Sequence, residues 1–160
     1  MVLIVIMSLI LIWLHISSLR YIIKSANDRT VIENAEKLEE IIPESEREFS
    51  LRSFPGVFSL VLIIFLNLIE IGYFAACVYF FSGLIVIIGS AILAGYTIYS
   101  LFKFLPNIKK FYRKPSEYLK EKTSGLENVL NFTMAALEII FCLYIVGRII
   151  FEYKIFMKGI

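Results

Sequence analysis

Residues 54–104 read FPGVFSLVLIIFLNLIEIGYFAACVYFFSGLIVIIGSAILAGYTIYSLFKF and carry only two charges, Glu70 and Lys103. A helix rises about 1.5 Å per residue, so about twenty apolar residues cross the hydrocarbon core of a bilayer. This stretch is too long for one crossing and fits two. The break falls at Phe81-Ser82-Gly83, where a small polar residue and a glycine allow a tight turn. The reading is a hairpin of transmembrane helices over 55–81 and 84–104, the second closed by Pro106, with the Glu70 carboxyl about midway along the first arm.

Two further apolar runs flank this hairpin. Residues 1–19 hold no charge apart from what His15 can carry, and Arg20 and Lys24 follow. No basic residue precedes the run, so it reads as an uncleaved first span rather than a secretory signal. His15, beside Trp13 and near the basic end, is expected at headgroup level. The fourth run covers 129–151. Hydrophobic residues make up 59% of the 160, and mean hydropathy is +0.79. Soluble domains run near 45–50% apolar. The expected fold class is therefore an all-α membrane protein with four transmembrane helices in a single domain, resident in the lipid bilayer.

The linkers differ sharply in charge. Residues 28–48 hold eight acidic residues against Arg29, Lys37 and Arg47. Within them Val31, Ala35, Leu38 and Ile42 recur at helical spacing, which predicts an amphipathic helix over 28–42, stopped by Pro43. An acidic helix is a poor ligand for anionic lipid, so its apolar stripe is expected against protein. Residues 105–127 are expected as a basic loop, with Lys109, Lys110, Arg113 and Lys114 forming a patch for lipid headgroups or a partner. Aromatic residues are interleaved there, but beside a membrane span such a patch does not indicate nucleic acid. Thirteen Lys and Arg lie in the two linkers 20–54 and 103–127, against three elsewhere. The positive-inside rule then puts both linkers in the cytoplasm and both termini outside.

Chemistry within the spans is sparse. Glu70 and Glu138 are carboxyls deep in apolar sequence, each with an amide on its own helix face, Asn67 and Asn131. An ionisable group at mid-bilayer costs about 2.5–3.5 kcal/mol on insertion scales, which asks for a reason. The two could be protonated and hydrogen-bonded across helices, could carry a proton or cation, or could hold a partner's basic residue. Arg148 and Glu152 are spaced as an interfacial ion pair, and Gly72/Ala76, Ser90/Ala94 and Ala91/Gly95 as close-packing faces. Cys77 and Cys142 read as buried apolar residues. With one histidine and no C-x-x-C, no metal site is expected, and no cofactor. No nucleophile–base constellation, P-loop or glycine fingerprint is present, so no catalytic role is expected. The function expected from sequence is that of a non-catalytic subunit of a larger membrane assembly concerned with transport or translocation. The alternative is a self-associating transporter or channel that uses the intramembrane glutamates.

Overall fold

The computed structural model describes residues 1–27, 30–43, 54–123 and 126–158. Among these the chain is all helix, with no strand. The elements are α1 Val2–Asn27, α2 Thr30–Ile41, α3 Phe54–Phe80, α4 Leu84–Arg113, α5 Pro115–Thr123 and α6 Leu126–Lys158. Among the described residues, four helices are long and apolar enough to cross a membrane: Val2–Arg20, Val57–Phe80, Leu84–Arg113 and Leu126–Glu152.

Packing pairs α1 with α6 and α3 with α4, and lesser contacts of α1 with α3 and α4 with α6 complete the bundle. The inward faces follow one spacing. Ile4, Ser8 and Leu11 lead to His15 on α1; Val86, Ser90, Leu93 and Thr97 lie on α4; Met134, Glu138, Phe141 and Ile145 lie on α6. Steps of four, three and four residues keep side chains on one stripe of a helix. Large side chains on the opposite faces, such as Trp13, Phe65, Phe102 and Phe151, are more than half exposed. So much contiguous apolar surface suits lipid and not water.

The turn between α3 and α4 spans three residues, and hydrogen bonds hold it at both ends. The Phe81 N–H donates to the Cys77 carbonyl at 2.9 Å, and the Gly83 carbonyl accepts from Ile87 N–H at 3.0 Å. Arg148 reaches across from α6 to donate to the Ser82 carbonyl at 3.1 Å, with its guanidinium 5.5 Å from the centre of the Phe81 ring. The same side chain makes the i,i+4 pair with Glu152 at 2.9 Å. Arg148 therefore ties the turn to α6.

Two sequence expectations are corrected here. Pro106 does not end the helix that carries the third span, because α4 runs through it to Arg113. A proline withdraws one backbone donor, and at membrane depth neighbouring groups can make that good. Here Ile108, two residues on, is buried, and the Asn107 side-chain amide bonds the Lys103 carbonyl at 2.9 Å, next to the Phe102 carbonyl that Pro106 cannot serve. The stop comes instead at Lys114, which precedes Pro115 and lies outside the helical region at φ −137° and ψ 72°. Pro115 then opens α5, a first-turn position that suits it. Residues 105–127 are thus mostly helix rather than loop.

Of the close-packing faces, Ser90/Ala94 lies in the bundle, with Ser90 buried and Ala94 against the core, and the other two differ from expectation. Gly72 and Gly95 have open space where a Cβ would stand. The close approach occurs at Gly89, where a Cβ would lie 2.9 Å from two atoms of the Phe141 ring. Helix α4 meets α6 there, on a different face from Ala91 and Gly95, which are exposed.

Candidate functional site

Each of the four long helices contributes one polar side chain to a single place. His15 comes from α1, Glu70 from α3, Thr97 from α4 and Glu138 from α6. His15 Nε2 lies 3.0 Å from Glu138 Oε2. Thr97 donates from Oγ1 to Glu70 Oε1 at 2.7 Å. The imidazole and one oxygen of each carboxyl are within 4.8 Å of one another. Glu138 is only 3% exposed, and its second oxygen, Oε1, is buried with no hydrogen-bond partner among the described residues. Two carboxyls this close in a medium of low dielectric need a proton or a positive partner between them.

The surroundings hold the site in place. Seven residues before His15, Ser8 Oγ donates to the Ile4 carbonyl at 2.8 Å and lies 2.7 Å from the Tyr73 hydroxyl. Because the serine proton is engaged on its own helix, Tyr73 donates, and α1 is pinned to α3. On the opposite side of the site, the Tyr96 hydroxyl donates to Asn131 Oδ1 and links α4 to α6. Beyond that bond opens a cleft of about 370 Å³, lined in part by Tyr99, Lys103, Glu127 and Asn131, with Lys103 and Glu127 paired at 2.8 Å.

The four residues singled out in the spans therefore separate. Glu70 and Glu138 meet. Asn67 does not join them: its amide donates to the Ile63 carbonyl on its own helix at 2.7 Å. Asn131 faces Tyr96 instead. His15 is a correction. The expected surroundings beside Trp13 do not hold: the imidazole turns inward to Glu138 while Trp13 stays 68% exposed. The signal was its register with Ile4, Ser8 and Leu11. Thr97 was missed for the same reason and is marked by the same register with Val86, Ser90 and Leu93. The grouping of His15, Glu70 and Glu138 brings together residues that spacing along one chain does not connect.

At the other polar region α2 lies on α5. Glu36 and Lys120 pair at 2.5 Å, and Glu39 Oε1 accepts from the Ser116 N–H at 2.7 Å, in the first turn of α5 where the helix dipole favours an anion. Of the expected stripe, Ala35 is buried, Leu38 and Ile42 are exposed, and the Val31 side chain lies outside the described residues. Lys109, Lys110, Arg113 and Lys114 line one shallow recess. Lys110 and Lys114 flank Glu117 at 3.6 and 3.5 Å and hold its carboxyl below the usual carboxylate range.

The fold and the site together are compatible with a multi-pass, four-helix membrane protein built around a buried ionisable cluster. No protein-family model matches the chain, and neither a curated protein nor a solved structure is significantly similar to it.

Proposed function

We propose that this chain is a small integral membrane protein that holds a cation between its helices and passes it along the bundle. Its termini face outward, the α3–α4 turn lies on that same side, and the linkers carrying α2 and α5 are cytoplasmic. The orientation rests on the basic asymmetry of the linkers. The function rests on one observation: His15, Glu70 and Glu138, from three different helices, converge at mid-span with Thr97 beside them. Ionisable residues inside a membrane are costly and recur along ion and proton pathways. The cleft beyond Tyr96 and Asn131 offers an approach from the basic end of the bundle.

Reconstitution into liposomes tests this directly. With dyes reporting protons and divalent metal ions, the wild type should support flux, and Glu138→Gln should lower it at least about tenfold. Equal flux in wild type, Glu138→Gln and empty liposomes would overturn the reading.

A second reading, a subunit of a larger membrane assembly, is favoured by one feature. Leu38 and Ile41 on α2, and Ile42 just past it, are exposed outside the spans, where no lipid core covers them. Purification in mild detergent distinguishes the two. A subunit should come out with unrelated chains in fixed ratio, and lose them on Leu38→Ser with Ile41→Ser.

A further inference from the structure

We infer that the cation held at this site is a first-row divalent transition metal ion, bound by His15 Nε2 and one oxygen each from Glu70 and Glu138. This rests on the reading just proposed and names the cation in it. Three observations carry it. The donor atoms already lie within 4.8 Å of one another, with His15 and Glu138 at 3.0 Å. Around an ion with bonds of about 2.0–2.1 Å, tetrahedral ligand atoms stand about 3.3 Å apart, so small side-chain rotations complete the shell. Next, Glu138 Oε1 is a buried acceptor with no partner among the described residues, inside the cluster. Finally, the charge balances. Two carboxylates and a neutral imidazole carry −2, which one divalent ion cancels at a depth where a net charge is costly.

The donor set also selects among ions. An imidazole nitrogen argues against calcium and magnesium, which take oxygen ligands. A thiolate would favour softer ions, but Cys142, one turn past Glu138, is packed in the apolar core rather than in the cluster. One nitrogen with two carboxylates suits zinc, manganese, iron or cobalt in the divalent state. Thr97 would orient Glu70 through its hydroxyl. Three protein ligands leave a position open, which suits an ion that enters and leaves.

His15 is the only histidine, so it is a unique reporter. In untagged wild-type protein labelled with ¹⁵N-histidine and held in nanodiscs, equimolar Zn²⁺ should shift the imidazole resonances. It should also slow acylation of His15 by diethyl pyrocarbonate at least about tenfold, while Mg²⁺ and Ca²⁺ should do neither. Glu70→Gln and Glu138→Gln should each weaken Zn²⁺ binding at least about tenfold, and Glu152→Gln should leave it unchanged. If Zn²⁺, Co²⁺ and Mn²⁺ all leave the resonances and reactivity of the folded wild type unaltered, the assignment is overturned. If that happens while Glu138-dependent proton flux persists in chelator, only the metal is wrong and the cation reading stands. If Zn²⁺ binds but no Glu138-dependent flux exists, the metal site stands and passage is wrong.

Discussion

Glu138 gives one carboxyl oxygen to His15 at 3.0 Å and keeps the other buried without a partner among the described residues. The pair joins α1 to α6, elements at opposite ends of the chain, and the Glu138 side chain is only 4% exposed. Removing one member of a buried pair strands the other, at a cost of about 3–5 kcal/mol. His15→Ala and Glu138→Ala should each destabilise the bundle on that scale. His15→Leu with Glu138→Leu together should recover much of the loss. Reversible unfolding in mixed micelles measures this, and strictly additive effects would exclude a direct pair.

Gly89 and Gly95 lie two turns apart on α4 and should respond oppositely to a methyl group. At Gly89 the new Cβ meets the Phe141 ring, which is itself packed edge-on against Phe74 at 5.9 Å. Overpacking of this kind costs about 1–3 kcal/mol. At Gly95 nothing is in the way, and alanine in a helix gains about 0.5–1 kcal/mol over glycine. Thermal unfolding of Gly89→Ala should fall and that of Gly95→Ala should hold or rise.

The α2–α5 contact should be sensitive to charge but only weakly. Glu36 and Lys120 are both about half exposed, so their pair contributes about 0–1 kcal/mol. Glu36→Lys should loosen α2, measured as faster amide exchange, and Lys120→Glu in the same chain should restore it. The effect should shrink in high salt. A rescue that fails at low salt would show that the Glu36–Lys120 pair does not hold α2 on α5.

Glu117 gives the same region a pH dependence of known sign. Its carboxyl is held below the usual range by Lys110 and Lys114. Its contribution is complete above the unfolded-state carboxylate pKa and is lost as pH falls through the lower, folded value. Protection of the α5 amides, taken relative to the intrinsic exchange rate at each pH, should therefore fall on acidification, and Glu117→Gln should remove that component of the fall.

Orientation can be read with impermeant thiol reagents, because Cys77 and Cys142 are fully buried. Ser82→Cys should label from outside intact cells, and Lys114→Cys only after permeabilisation. Ser116 is a poor probe, being buried with its N–H held by Glu39. The reverse pattern would invert every statement of sidedness.

The four apolar spans are legible from hydropathy, because lipid-crossing length and composition are local properties. The nearness of Glu70 and Glu138 is half legible: spans two and four run the same way, but their relative depth depends on packing. His15 was hidden because its immediate neighbours, Trp13 and Arg20, belong to an interface, whereas its partner is 123 positions away on α6. Asn67 and Asn131 misled because an amide can satisfy itself on its own helix or on an unrelated tyrosine. Pro106 misled because a breaker's local penalty was outweighed by the contacts around it.

That unbroken α4 has a mechanical meaning. From Thr97 beside the carboxyls to Arg113 next to α5 is about 24 Å of continuous helix. A flexible linker below the bundle would absorb a push on the α2–α5 platform. A helix continuous through Pro106 couples the hydroxyl that steadies Glu70 to that platform more closely than such a linker would.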